Sequence, residues 1–193
     1  MRFDALILAG GKASRLGGVD KALIEIGSET LLDRTLSALR RAATVAVVGP
    51  RRRVSTLNVT WVQEEPPGAG PVHAIAAGLE AVTAKVVVVA AVDHPLASAH
   101  VVDRLVEGSS GRDGAAVCDS EGHLQPLLSA YQTGVLRARL GKLGRTQDAA
   151  MHELVLGLDL AGVLDPGAAM DCDTWGDVAA ARAVISGGDG DAG

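Results

Sequence analysis

Aromatic side chains are almost missing from this chain of 193 residues: they make up 2% of it and comprise Phe3, Trp61, Tyr131 and Trp175. A nucleic-acid surface that stacks bases on aromatic rings is therefore not expected. Positive charge is also scarce, because 18 lysines and arginines stand against 23 aspartates and glutamates, for a formal net charge of −5. This balance argues against a general polyanion binder, but it leaves room for a small basic cluster that binds a phosphate.

Cysteine and long apolar runs are lacking as well. The two cysteines, Cys118 and Cys172, form no CxxC pair, which excludes a disulfide scaffold and a zinc finger. The longest apolar run, Val86 to Val92, is too short to span a bilayer, and the N-terminus is a poor signal peptide because an acid precedes its apolar run. We therefore expect a protein of the reducing cytoplasm with no membrane partner.

The composition that is present is that of a globular protein, with 48% apolar and 21% charged residues. A chain of this length can bury about 70% of its unfolded surface, so it needs no metal or disulfide to hold a core. Since no change in composition marks a boundary, we expect one domain over residues 1–186. Residues 187–193 are small and polar, and we expect them to form a disordered tail.

Short apolar runs alternate with helical patterns along the whole chain. The apolar runs predict strands at 5–9, 44–48, 59–62, 86–92, 114–118, 124–130 and 158–164. Helical spacing and capping residues predict helices at about 29–43, 71–82, 98–106, 132–140 and 147–156, and a last one after a capping box at 174–177.

This alternation predicts an α/β fold: three layers, α/β/α, around a mostly parallel sheet. The turn at 119–122 suggests a hairpin between two of the strands, so the sheet is expected to be mixed. Ligands of such sheets bind beyond the carboxyl ends of the strands. Two loops at such ends carry unusual chemistry, residues 10–21 and residues 93–95.

The first loop belongs to the string LAGGKASRLGGVDK, residues 8–21. Backbone amides at Gly10 and Gly11 can turn toward one anion, while Arg15 supplies a planar donor fork and Lys21 a compact positive charge. These donors together suit a triphosphate. The string is neither a Walker A motif nor a Rossmann fingerprint. The plainer alternative is a tight turn whose glycines serve only the bend.

Two aspartates are candidate metal ligands. Asp93 follows the most apolar strand, where a carboxylate can hold a Mg²⁺ ion whose other ligands are phosphate oxygens. Asp173 could supply a second carboxylate to the same metal. The alternatives are that Asp93 caps the turn before Pro95 and that Asp173 serves the electrostatics of the following helix N-terminus.

Other polar residues give weaker signals. The five histidines lack metal-ligand spacing, and no serine or cysteine lies in a recognisable nucleophile motif. The run Arg51 to Arg53 can be a solvated loop or a contact with an anionic ligand. The pattern favours a site that positions phosphates over one that forms an acyl or thioester intermediate.

Five segments together resemble the molybdenum cofactor guanylyltransferases, within the wider nucleotidyltransferase group whose fold is that of the nucleotide-diphospho-sugar transferases. They span most of the chain: LAGGxxxRxGGxDK from residue 8, QEEPPGAGPVHAI from residue 63, DHP from residue 93, QPLLSAY from residue 125 and DCDTWGD from residue 171.

The resemblance implies roles for individual residues. Nucleotide-binding residues would be Leu8, Ala9, Gly10, Gly11, Lys21, Glu64 and Asp93. Among them, Lys21 would bind phosphate, Glu64 would lie at the nucleoside, where the family usually has aspartate, and Asp93 would hold Mg²⁺. The loop around Arg145 only loosely resembles the family's acceptor-binding arginine segment.

The implied activity is a Mg²⁺-dependent transfer of GMP from GTP to the terminal phosphate of molybdenum-bound molybdopterin, with Arg15, Lys21 and Asp93 as catalytic residues and pyrophosphate as the leaving group. Partners would be GTP, the molybdopterin acceptor and other proteins of molybdenum cofactor biosynthesis or insertion. Two alternatives stay open. One is a related enzyme that uses CTP or another phosphorylated acceptor, although the family's cytidylyl members tend to read TAAG where this chain reads LAGG. The other is a catalytically silent nucleotide-binding domain.

Overall fold

A computed structural model describes residues 1–10, 14–54 and 59–188. The strands are β1 (Asp4–Leu8), β2 (Glu25–Ile26), β3 (Glu29–Thr30), β4 (Val45–Val48), β5 (Val59–Val62), β6 (Val86–Ala91), β7 (Gly114–Cys118), β8 (Leu124–Gln132) and β9 (Leu160–Leu164). The helices are α1 (Leu31–Ala38), α2 (Pro71–Leu79), α3 (Ala99–Gly108), α4 (Thr133–Leu143), α5 (Met151–Val155) and α6 (Trp175–Gly188), and two 3₁₀ turns cover Ser14–Leu16 and Lys21–Leu23.

Seven of the strands form one sheet in the order β5-β4-β1-β6-β8-β7-β9. Strand β8 runs antiparallel to both of its neighbours, and all other pairs in this sheet are parallel. The α/β fold with a mostly parallel, mixed sheet is thereby confirmed, including the hairpin of β7 and β8. None of the helices in the described part of the chain has the length and apolar character needed to cross a bilayer.

The core lies on both faces of the two central strands. All five residues of β1 and all six of β6 are buried, as expected for parallel strands that are covered on both sides. Alternate residues of β1 point to opposite faces, so Ile7 packs in a cluster with residues of α1, α3 and α6. Its neighbour Leu6 packs on the other face, with residues of α2, α4 and α5.

The ends of several elements differ from the sequence prediction. The helix predicted from residue 29 begins at Leu31, because residues 29–30 pair with β2 in a small hairpin and Thr30 caps the helix by accepting from Asp33 N at 3.0 Å. It ends at Ala38 rather than near residue 43. Helix α5 is likewise shorter than predicted. At the other end of the chain, α6 continues through Gly188, two residues into the segment expected to be a tail, and residues 189–193 lie outside the described part.

The topology places the two unusual loops side by side. The chain passes from β1 outward to β4 and β5 and then returns to β6 on the other side of β1, so the loops that follow β1 and β6 open into the same crevice. The loop after β4 also approaches closely. Gly49 has a φ of +136°, and a Cβ atom there would lie 2.9 Å from Gly10 N and 3.1 Å from the carbonyl carbon of Ala9.

Candidate active site

A cavity of about 830 Å³ opens at the carboxyl edge of the sheet. Its lining includes every predicted site residue that the structure describes: Leu8, Ala9, Gly10, Arg15, Lys21, Glu64, Asp93 and Asp173. Gly11, the remaining one, lies outside the described residues. The structure therefore brings together four chain segments that are distant in sequence.

Lys21 lies between two carboxylates. Its Nζ is 2.7 Å from Asp173 Oδ1 and 3.5 Å from Asp93 Oδ2, and its side chain is only 18% exposed. Burial by itself would lower the pKa of Lys21, but the hydrogen bond that Lys21 donates to Asp173 and the charges of Asp93 and Asp173 outweigh burial and raise it. The ammonium group therefore stays charged throughout the neutral range.

The backbone around Asp93 ties two of these segments together. Asp93 follows β6 directly, and its carbonyl oxygen accepts a hydrogen bond from Cys172 N at 2.9 Å. This bond holds residues 171–173 against the end of the central strand. The carboxylate oxygen Asp93 Oδ1 is buried and has no hydrogen-bond partner among the described residues, and His94 Nε2 lies 3.7 Å from it. One oxygen of Asp93 is thus open to a cation or a donor.

Asp173 is oriented by the capping box that the sequence predicts. Asp177 Oδ2 accepts from Thr174 N at 2.7 Å and from Asp173 N at 3.1 Å, while Asp177 N donates to Thr174 Oγ1 at 3.3 Å. The hydrogen bonds from Thr174 lower the pKa of Asp177. Asp177, rather than Asp173, therefore serves the helix N-terminus. The carboxylate of Asp173 is therefore free to pair with the cations Lys21 and Arg15. The Nη1 atom of Arg15 lies 3.7 Å from Asp173 Oδ2.

A third carboxylate, Asp171, lies near Asp93 and Asp173 but does not line the cavity itself. Burial raises the pKa of Asp171, and the nearby charges of Asp173 and Asp93 act in the same direction. Arg15, in contrast, is 74% exposed and lies at the mouth of the cavity rather than in its depth. The two predicted cations thus differ, since Lys21 is partly buried between the carboxylates and Arg15 faces solvent.

Glu64 lines the same cavity and lies close to Gly10 at the end of β1. It is 5% exposed, and its Oε1 accepts from Gly68 N at 3.0 Å. Its second oxygen, Oε2, is buried without a hydrogen-bond partner in the described structure. A buried carboxylate oxygen of this kind is costly unless a ligand donates to it, so Glu64 is a candidate contact for N–H or O–H groups.

Two links around the cavity were not predicted. Arg52, from the arginine run after β4, donates to both carboxylate oxygens of Asp20. His73 lies between Thr146 Oγ1 and the carbonyl oxygen of Glu65, each 2.8 Å from a ring nitrogen. No sequence motif links Arg52 to Asp20 or His73 to Thr146, because these partners lie 32 and 73 positions apart in the chain. The sequence held one indication of the first link: Asp20 directly precedes Lys21, and aspartate is a residue type that often caps a helical turn.

Comparison with known proteins gives a consistent result. The sequence profile of the MobA-like NTP transferase domain family matches residues 5–157. A molybdenum cofactor guanylyltransferase of Mesorhizobium japonicum is 34% identical over 144 residues, which is 69% of this chain and 69% of the relative. A probable molybdenum cofactor guanylyltransferase of Methanosarcina mazei is 31% identical over 145 residues, 69% of this chain and 65% of the relative.

These alignments thus span about two thirds of each relative. Among solved structures, a 2-C-methyl-D-erythritol 4-phosphate cytidylyltransferase from Thermus thermophilus superposes with a TM-score of 0.75 and 25% identity. That superposition covers 96% of this chain and 100% of the other. The fold is therefore one that nucleotidyltransferases share.

Proposed function

This chain belongs to the family of MobA-like NTP transferase domains, and we propose that it transfers GMP from GTP to the terminal phosphate of molybdenum-bound molybdopterin, with release of pyrophosphate. The molybdenum cofactor guanylyltransferase relatives in Mesorhizobium and Methanosarcina support this activity. The observation that carries the proposal is the partly buried ammonium of Lys21, held between Asp93 and Asp173 in the cavity beside Gly10.

The reaction needs alignment and charge neutralisation more than acid–base chemistry. An oxygen of the acceptor phosphate attacks the α-phosphorus of GTP, and the bond from that phosphorus to the β-phosphate oxygen breaks. A phosphate monoester has a second pKa of about 6, so the nucleophile is mostly a dianion near neutrality and needs no protein base. Lys21, Arg15 and the amide of Gly10 would offset charge on the transferring and leaving phosphates.

The carboxylates fit a magnesium ion. Asp93 has a buried oxygen that lacks a hydrogen-bond partner in the described structure, and Asp173 lies on the other side of Lys21. The described residues contain no group of three or more His, Cys, Asp or Glu arranged for a metal. Such a group is not required, since Mg²⁺ binds through one or two carboxylates when phosphates and water complete its shell. Held by Asp93 and Asp173, Mg²⁺ would supply positive charge at the phosphates.

Glu64 would face the nucleoside. Its unpartnered Oε2 can accept a hydrogen bond, and both Glu64 and Gly10 line the cavity. A Cβ atom at Gly10 would lie 3.6 Å from Glu64 Oε1, so the glycine leaves the carboxylate close to the end of β1. Leu8, Ala9 and Gly10 would then contact the nucleotide through their backbone groups, and Glu64 through its carboxylate.

Pyrophosphate release by the purified protein tests the proposal. The assay would use each of the four ribonucleoside triphosphates, with and without Mg²⁺, and both molybdopterin and other phosphorylated acceptors. We expect release only with GTP, Mg²⁺ and the molybdopterin acceptor. Preference for CTP would favour the second candidate, a cytidylyltransferase, which the solved Thermus structure supports by its similarity. GTP binding that is indifferent to Mg²⁺, with no turnover on any acceptor, would instead indicate a silent nucleotide-binding domain.

A further inference from the structure

The arginine run after β4 contains one residue whose side chain is held against the protein surface and is largely covered. The side chain of Arg52 is 9% exposed, whereas Arg51 and Arg53 are exposed residues. Its Nε donates to Asp20 Oδ2 at 2.6 Å, its Nη2 to Asp20 Oδ1 at 2.8 Å and its Nη1 to the carbonyl oxygen of Pro50 at 3.0 Å. All three guanidinium nitrogens therefore donate within the protein. Arg52 is thus neither a solvated loop residue nor a free contact for an anionic ligand.

The partner of Arg52 begins the turn that carries Lys21. Asp20 is the N-cap of the 3₁₀ turn Lys21–Leu23, and its Oδ1 accepts from Ala22 N at 3.2 Å. The same carboxylate thus caps the turn and receives both arms of the guanidinium. At the other end, the ammonium of Lys21 is held by Asp173 and Asp93. Lys21 is therefore fixed at its backbone by Asp20 and at its side-chain end by the two aspartates.

We infer that Arg52 is a positioning residue, which holds Asp20 so that the turn presents the ammonium of Lys21 to the phosphates of the nucleotide. The inference rests on the proposed function. When phosphates enter the cavity, Lys21 must give up some of its contacts with the aspartates in order to bind them. The pair of Arg52 and Asp20 is then the contact that keeps the turn in place.

The chemistry of the pair suits this role. A bidentate guanidinium–carboxylate pair fixes direction as well as distance, which a pair with a single contact does not. The guanidinium of this pair is largely covered, while 38% of the Asp20 side chain is exposed. Lysine has no fork and cannot replace arginine in this geometry. The pair also joins the loops that follow β1 and β4, because Asp20 and Pro50 both line the cavity. Arg52 therefore sets the spacing between these two walls.

The test compares Arg52→Gln with Arg51→Gln, which removes the same charge from an exposed neighbour. GTP binding in the presence of Mg²⁺ is measured by calorimetry, and kcat and KM by pyrophosphate release. We expect Arg52→Gln to lower GTP affinity and kcat/KM by about tenfold to hundredfold, as displacement of a positioned group by about 1 Å does. Arg51→Gln should stay near the wild type. Arg52→Lys should resemble Arg52→Gln, because charge without the fork does not hold Asp20.

A double substitution separates positioning from a merely structural role. If Arg52 acts through Lys21, then adding Arg52→Gln to the Lys21→Ala protein should lower GTP affinity and kcat/KM by less than about twofold, because the effects of interacting residues are not additive. If Arg52→Gln lowers GTP affinity and kcat/KM in the Lys21→Ala protein as much as it does in the wild type, the inference is overturned. Should Arg52→Gln fail to fold, Asp20→Asn serves instead, because asparagine can still cap the turn but removes the charge.

The outcomes also separate this inference from the proposed function. A wild-type protein that binds GTP, with Arg52→Gln and Arg51→Gln equal to it, would overturn the positioning role alone. A wild-type protein that binds no GTP would overturn the proposed function and the inference with it. Thermal unfolding of each variant, measured in parallel, shows whether a loss of binding reflects a loss of folded protein.

Discussion

The ammonium of Lys21 lies 2.7 Å from a carboxylate oxygen of Asp173, although 152 positions separate the two residues in sequence. They meet because the backbone N–H of Cys172 donates to the carbonyl oxygen of Asp93, which holds the segment before α6 against the end of β6. The cavity consequently contains one partly buried cation between two carboxylates from different parts of the chain. Removing Lys21 would leave the two carboxylates facing each other without a cation in a partly dehydrated place, whereas removing one aspartate would leave a single ion pair.

Loss of Lys21 or of Asp93 should abolish most turnover. We expect Lys21→Ala and Asp93→Ala each to lower kcat for pyrophosphate release by about 10²-fold or more, the typical effect of removing one electrostatic contact to a transition state. The control is Lys85→Ala, which removes an exposed lysine that does not line the proposed active-site cavity. Variants of Lys21 and Asp93 that are folded and turn over GTP at a nearly normal rate would rule out this mechanism.

Substitution of Glu64 should weaken GTP binding without lowering the stability of the protein. Glu64→Gln keeps the size of the side chain but removes a buried charge, and one of its oxygens lacks a hydrogen-bond partner among the described residues. We expect the unfolding temperature to be unchanged or higher, and GTP affinity to fall about tenfold, since a hydrogen bond to a charged group contributes about 1.5–3 kcal/mol. Calorimetry and thermal unfolding measure the two effects. Equal GTP affinity of Glu64→Gln and wild type would argue against a nucleoside contact.

The close approach of Gly49 to the end of β1 predicts that a larger residue at position 49 impairs both nucleotide binding and stability. A Cβ atom at residue 49 would overlap the backbone at Gly10, and the residue has a positive φ. Gly49→Ala should therefore displace the nucleotide-binding backbone, weaken GTP binding and lower the free energy of unfolding by about 1–3 kcal/mol.

Gly111→Ala is the matched control for Gly49→Ala. Gly111 also has a positive φ, +74°, but a Cβ atom there would meet no described atom within 4 Å. Backbone strain alone is therefore expected in the control, with GTP binding intact. If both variants bind GTP like the wild type, then the contact of residue 49 with β1 has no role in the site.

The capping box of α6 predicts a dependence of stability on pH. Hydrogen bonds from Thr174 hold the pKa of Asp177 below its ordinary value, so the ionised carboxylate stabilises the folded state. That contribution is present above the unfolded pKa of about 4 and is lost as the pH falls through the lower, folded pKa. Wild type should therefore unfold at a higher temperature than Asp177→Asn near neutrality, and the difference should shrink below about pH 4. Thermal unfolding across this range measures it, and a difference that grows in acid would contradict the assignment.

Removing the hydroxyl of Thr174 tests how much the capping box of α6 contributes to the stability of the protein. Thr174→Ala should lower the free energy of unfolding by about 1 kcal/mol, as loss of an N-cap side chain does. Urea denaturation measures this change. Thr174→Ser keeps the hydroxyl and should restore most of the stability. If Thr174→Ser is as unstable as Thr174→Ala, then the lost stability comes from packing of the methyl group and not from the cap.

Much of the fold could be predicted from local patterns. Apolar runs identified the strands of the main sheet to within two residues at most ends, and the capping box at 174–177 was recognised because its hydrogen bonds join residues three apart. The hairpin of β2 and β3 was missed, since strands of two residues leave no periodicity to detect. Helix α1 was predicted too long because the apolar spacing continues past its end at Ala38 into a turn that is also packed.

The amino-acid sequence by itself determined the alternation of strands and helices, the glycine loop after β1, the aspartate after β6 and the family resemblance, because each depends on neighbours along the chain. Only the tertiary structure decided that Lys21 lies between Asp93 and Asp173 and that Arg52 holds Asp20. These contacts follow from the strand order, and the strand order follows from how the whole sheet buries both of its faces. No local pattern of residues carries that information.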